Sequence, residues 1–237
     1  MNKKILILIS FVVLFQNSLF ALHYFSLRGK LTYNYFNAGD LKYMHDHAIM
    51  LLRNYNIPAR ALQSFPPYYG LQVQLLIPVK DSLGINAGVY LEQFSTGVRM
   101  DYKDYSGEER LDQILQGWAL GLMGEKDFKL NSFISWNLNL GISFISASFE
   151  TKALEQLYDY RSEESLEFSN FTVGITPGAG LSFNLYNFNI SGTVGYMFCL
   201  PSTFQYEGET VKKTDSGDPM MPGLDGLRLS AGLGYGF

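Results

Sequence analysis

The sequence predicts an all-β fold: an eight-stranded, antiparallel, up-and-down transmembrane β-barrel, with a short helix expected in its first long loop. Three observations predict it. Apolar and polar residues alternate at period two in eight segments, the pattern of strands with two unlike faces. Long and short connections alternate between those segments. The polar face of the strands carries few charges, so it does not read as a surface built for water. Composition agrees: 18 Phe, 16 Tyr and 23 Gly accompany only 17% charged residues, against about 25% in an average soluble domain, which favours β-structure over a helical bundle.

The first residues set the compartment. "MNKKILILISFVVLFQNSLFA" has two lysines, a mainly apolar stretch from Ile5 to Phe15, and a small residue at Ala21. That is the layout of a secretory signal peptide, residues 1–21, cleaved to leave a barrel domain over residues 22–237. The stretch is too short to cross a bilayer, which takes about 20 apolar residues. After residue 21 no run approaches that length, so a membrane-resident chain would have to satisfy its backbone as a closed barrel.

The strands follow in order. "FSLRGKLTYNYF" sets Phe25, Leu27, Leu31, Tyr33 and Tyr35 against Ser26, Arg28, Lys30, Thr32 and Asn34. "YGLQVQLLIP" alternates Leu71, Val73 and Leu75 with Gln72 and Gln74, and "LGINAGVYLEQF" sets Val89 and Leu91 against Tyr90 and Glu92. "QILQGWALGLM" is the weakest, because Gln116 falls on the apolar face with Trp118, Leu120 and Leu122. "SWNLNLGISF", "FTVGITPGAGLSF" and "NFNISGTVGYMF" repeat the pattern, and Pro177 faces the apolar side as an expected bulge or bend. The eighth segment is "GLRLSAGLGYGF", Gly226 to Phe237.

Long connections are expected over residues 37–67, 96–111, 147–167 and 201–225, and short turns near 79–83, 123–128 and 184–187. A soluble eight-stranded barrel is the rival reading. The non-apolar face is mostly Asn, Ser, Thr, Gln and Gly, which suits a lumen narrow enough to be filled by side chains. Aromatics gather at both strand ends, Tyr33, Tyr69 and Phe198 at one and Phe25, Phe128, Phe188, Tyr235 and Phe237 at the other, as two lipid–water interfaces require.

The final octet "SAGLGYGF" resembles the C-terminal insertion signal of bacterial outer-membrane barrels, with Ser230, Gly232, Tyr235 and Phe237 in its four positions. With the signal peptide and the eight strands, the mature chain resembles the small OmpX/OmpA/OmpW-type outer-membrane proteins over its full length. The resemblance implies a location in the cell outer membrane among lipid and lipopolysaccharide. It implies delivery by periplasmic chaperones and the barrel-assembly machinery, and a monomeric state.

Chemistry is sparse. Four charges share the inward parity: Arg28, Lys30, Glu92 and Arg228. The first and last strands of a barrel pair, so several of these lie close together, either as a polar plug with Tyr90 or as the lining of an anion path. The plug is favoured, because buried charges must be paired. His45 and His47 lie in a segment with helical spacing, Asp40 to Tyr55, with Asp40 as N-cap. Two residues apart on a helix they diverge, so no metal site is expected. The single Cys199 allows no internal disulfide. Lipid A-modifying barrels share this fold, but no His here is followed two residues later by Ser. Asp215-Ser216 has the wrong spacing for the palmitoyltransferase pattern. A net charge of −4 without a basic cluster gives no nucleic-acid footprint.

The expected function is therefore non-enzymatic and without a cofactor, a surface-interaction or envelope-integrity role carried by four outer loops. A narrow passive channel is the alternative, and a lipid A-modifying enzyme the second.

Overall fold

The computed structural model describes residues 25–54, 65–80, 83–103, 105, 107–158 and 160–237. The expected signal peptide and Tyr55 lie outside the described residues. Eight strands form the ring: β1 (Ser26–Phe36), β2 (Tyr68–Lys80), β3 (Ile85–Lys103), β4 (Gly107–Lys129), β5 (Ile134–Leu157), β6 (Tyr160–Leu185), β7 (Phe188–Cys199) and β10 (Gly226–Gly236). Each pairs antiparallel with its neighbours, and β1 with β10 closes the circle. Helix α1 (Gly39–Asn54) follows β1, and a two-residue hairpin, β8 (Gln205–Tyr206) and β9 (Glu209–Thr210), sits between β7 and β10.

Alternation decides which side chains face in. On β1, Arg28, Lys30, Thr32 and Asn34 are buried while Leu27, Leu31 and Tyr35 are exposed. The outer face is an apolar belt: Leu31, Leu71 and Leu120 are 66%, 65% and 59% exposed. So continuous an apolar band around every strand would be costly in water and is the surface that acyl chains cover. Aromatic contacts edge it on the short-turn side, where Phe25 stacks on Phe237 at 4.6 Å and Phe128 on Trp136 at 4.2 Å. On the other side Tyr33 meets Tyr69 at 5.3 Å. The closed ring, its belt and its polar interior make this a transmembrane β-barrel.

Strand lengths are uneven. β1, β2, β7 and β10 have 11 to 13 residues, close to the roughly 9–11 that cross a bilayer, whereas β4, β5 and β6 have 23, 24 and 26. The expected long loops 96–111 and 147–167 are accordingly corrected: most of each is strand, since β3 runs to Lys103 and β4 begins at Gly107, and β5 runs to Leu157 and β6 begins at Tyr160. These extensions lie past the lipid-facing belt, and on β3 the alternation inverts there: Val98, Met100 and Tyr102 are half-buried while Arg99, Asp101 and Lys103 are exposed. The turn expected at 123–128 is likewise strand. Glu125 pairs in register with Asn139, and the turn lies at 130–133, held by Asn131 Oδ1 accepting from the amides of Phe133 and Ile134.

Pro177 produces neither bulge nor bend in register. Pairing with β7 lapses at Thr176 and Pro177 and resumes in the same register at Gly178, as a missing N–H dictates. A register shift occurs instead between Pro78 and Lys80.

Inward glycines make room for large neighbours. A Cβ on Gly121 would run into the Tyr90 ring, one on Gly232 into the Lys30 side chain, and one on Gly234 would lie 2.6 Å from Arg28 Cγ. The last strand therefore carries glycine where the long basic side chains of β1 cross it. Gly121→Leu is expected to cost about 1–3 kcal/mol by overpacking. The urea midpoint of refolded protein in detergent should fall, whereas lipid-facing Leu122→Val should move it little. An unchanged midpoint in Gly121→Leu would contradict its inward placement.

Candidate functional site

Three regions offer chemistry: the lumen, the cover over its mouth, and the sheet that projects beyond the belt.

In the lumen two of the four inward charges pair with each other, a third pairs elsewhere and the fourth makes no bond among the described residues. Arg228 pairs with Glu92, whose other oxygen accepts from Thr32 Oγ1 at 2.6 Å. Gly70 permits this, since a Cβ there would lie 2.7 Å from Glu92 Oε1. Arg28 turns to a residue that sequence reasoning missed: its Nη1 donates to both oxygens of Glu125, at 2.8 and 2.9 Å. Glu125 escaped because it was assigned to a turn; its alternation with Met123 and Asp127 was the available signal. Lys30 is buried but makes no ion pair or hydrogen bond among the described residues. Tyr90 fills the ring beside these groups, and Gln74 Nε2 donates to Gln72 Oε1 at 2.7 Å. The remaining sequence-singled residues lie on β10 or directly after it: Ser230 faces inward against Thr193, whereas Tyr235 and the following Phe237 join the aromatic rim.

The mouth is closed by an apolar core. Helix α1 lays Leu41, His45 and Ile49, spaced by four, on its buried side. Leu41 joins Phe65, Tyr68, Phe94, Phe149, Phe204 and Leu224 in one cluster that includes inward residues of six ring strands. His45 Nδ1 lies 2.9 Å from Gln113 Oε1, whereas His47 stacks on Tyr43 at 6.2 Å, so the two imidazoles face different partners. Asp40 does not cap its own helix. Its carboxylate accepts from the Met221 amide at 2.7 Å and pairs with Lys213 at 2.7 Å, tying α1 to the last loop. Tyr43 OH donates to Asp215 Oδ1 at 3.0 Å, a bond that holds the Asp215 carboxyl below its ordinary value. Cys199 is half-buried against the same core, and its amide donates to Asp225 Oδ1 at 2.6 Å.

The projecting sheet of β3 to β6 is ordered by ion pairs. Asp112 accepts from Arg99 Nε at 2.6 Å and from Arg110 Nη2 at 2.6 Å. Burial pushes its carboxyl up, but the two guanidiniums outweigh that and hold it below the ordinary carboxylate value. Lys103–Glu108, Lys152–Glu150 and Arg161–Glu163 are exposed pairs of the kind that contribute little individually.

No family model matches the sequence, and no curated protein is significantly similar to it. Among solved structures, the chain is similar to Neisserial surface protein A: 12% identity over 90% of this chain and 97% of that one, TM-score 0.46. It is also similar to Ail, the attachment invasion locus protein of Yersinia pestis: 13% identity, 91% and 99% coverage, TM-score 0.41. A third is the N-terminal β-barrel domain of Pseudomonas aeruginosa OprF: 12% identity, 90% and 97% coverage, TM-score 0.35. Likeness at this level says nothing about activity.

Breaking the Arg28–Glu125 pair from one side leaves a buried charge alone, at a cost of about 3–5 kcal/mol. Glu125→Gln should therefore lower the urea midpoint sharply, and the double variant Arg28→Met/Glu125→Met should regain most of the loss. Equal destabilisation by single and double variants would show that the pair is not what holds these side chains.

Proposed function

We propose that the chain is an outer-membrane protein that neither conducts solutes nor catalyses, and that acts by holding the β3–β6 sheet and the mouth cover at the cell surface. The observation that carries this is the length of β4 to β6, 23 to 26 residues where roughly 9–11 cross the bilayer. Strands that long, braced by ion pairs, set a rigid platform outside the membrane, and loops and edges on rigid scaffolds are where binding surfaces usually lie.

Two further features support it. The apolar cluster under α1 fills the ring where a channel would need water, and paired charges fill the level below. The imidazole of His45 is engaged with Gln113 and that of His47 with Tyr43, while Asp215 binds Tyr43 and the Ser216 amide. None of these forms a nucleophile–base–orienter set. In this reading the barrel is a monomer surrounded by lipid and lipopolysaccharide, with no cofactor. Its lumen charges Arg28, Lys30, Glu92 and Arg228 form a structural plug. Ser230, Gly232, Tyr235 and Phe237 serve as the signal read by the assembly machinery.

Planar-bilayer recordings of refolded protein should show no unit conductance steps, and lipid A masses should not change with expression. Trypsin added to intact cells should cut at Lys103 or Arg161 and spare Lys126 and Lys129 on the short-turn side. Reproducible conductance steps, or cleavage only at the short-turn side, would overturn the proposal. Deleting Phe237 should reduce outer-membrane levels several-fold while the purified variant still refolds in detergent; unchanged levels would remove the signal role.

A further inference from the structure

The buried interior at membrane depth holds three cations, Arg28, Lys30 and Arg228, and two carboxylates, Glu92 and Glu125. Both carboxylates are taken by the arginines. Asp127, the next acid along β4, is bound by Asn86 Nδ2 at 2.9 Å and lines the wide vestibule at the short-turn mouth. Lys30 is thus left as an ammonium 5% exposed that makes no hydrogen bond or ion pair among the described residues, with the Glu125 carboxylate in electrostatic reach but held by Arg28. An unpaired buried charge is among the most costly things a fold can contain.

Beside Lys30 lies a cavity of about 50 Å³. Its wall includes Lys30, Arg228, Gln74, Asn139 and Thr176, and no carboxylate. Thr176 Oγ1 and Gln74 Oε1 are buried there without hydrogen-bond partners. A water-sized guest needs roughly 10–15 Å³ of such volume, so the space admits a guest of a few heavy atoms but no sugar. Two cations, a free hydroxyl donor and no acid in the wall select for negative charge, with the Gln74 carbonyl oxygen left to accept from the Lys30 ammonium instead of facing the guest.

We propose that this cavity is a binding site for one small monovalent anion, of the halide class, held between the Lys30 ammonium and the Thr176 hydroxyl and facing Arg228. The bound anion balances the third cation of the lumen, so the interior is neutral without a third carboxylate. Its route is from the short-turn vestibule past Arg28, which lines that vestibule. The site requires no through-path and is independent of the sealed-mouth reading. Conductance would fault that reading, whereas loss of saturable binding would fault this one.

The test uses the full barrel refolded in detergent. The ³⁵Cl NMR line width should show a saturable excess that bromide displaces, and thermal unfolding should occur at a higher temperature in chloride than in gluconate of equal ionic strength. Lys30→Met should remove both effects, by at least tenfold in the excess line width. Line broadening that does not saturate, or that persists in Lys30→Met, would overturn the site. Should Lys30→Met fail to refold, crystals of the unaltered protein grown in bromide decide. An anomalous peak beside Lys30 Nζ is expected, and ordered water without anomalous signal there would overturn the proposal.

Discussion

The pairing of β1 with β10 is the constraint on which everything else rests. Inside a bilayer no water is present to satisfy a free strand edge, so each N–H and C=O must find a partner in the chain. The first and last strands do this in unbroken register from Ser26↔Gly236 to Phe36↔Gly226, and the Phe237 amide donates to the Phe25 carbonyl at 2.9 Å. Closure with eight strands fixes a ring wide enough only for side chains. The interior must then be filled, and the filling defines what the protein can do.

That filling has two levels. Below the mouth it is polar, with Arg28–Glu125 near the short-turn side and Arg228–Glu92 just under the apolar core, each crossing between strands far apart in sequence. Buried pairs of this kind are poor evidence of net stability, but losing one partner is costly, so they lock the relative positions of β1, β3, β4 and β10. Nearer the mouth the filling is apolar and continuous with α1, so the ring behaves there like the core of a water-soluble domain. Glycines at Gly121, Gly232 and Gly234 let large and basic residues lie across the narrow space. A wider ring would need neither device and would hold water instead.

Much of this was legible from alternation alone, because a strand at membrane depth has one face in lipid and one in the lumen. The eight segments, their facing and the inward parity of Arg28, Lys30, Glu92 and Arg228 follow from that asymmetry. The extensions of β3 to β6 were not legible, because the parity inverts past the belt: on β3 Val98, Met100 and Tyr102 are half-buried while Arg99, Asp101 and Lys103 are exposed, the reverse of the lipid-facing alternation. Glu125 was hidden for a related reason: "MGEKDF" has the composition of a turn, and only the register with β5 shows it as strand. Asp40 looked like a helix cap because its true partners, Lys213 and the Met221 amide, are distant in sequence. Helical spacing was visible in Leu41, Met44 and Ala48, but the side that the barrel buries is Leu41, His45 and Ile49, with Met44 and Ala48 only half-buried.

The closed ring is tested most directly by amide hydrogen exchange on the refolded protein in lipid bilayers. The account predicts that amides of β1 and β10 between Lys30 and Thr32, and between Leu229 and Ala231, exchange as slowly as those of central β5. Exchange of the β10 amides at the rate of the 200–225 loop would contradict it, because a last strand that opens to solvent is not closing a barrel.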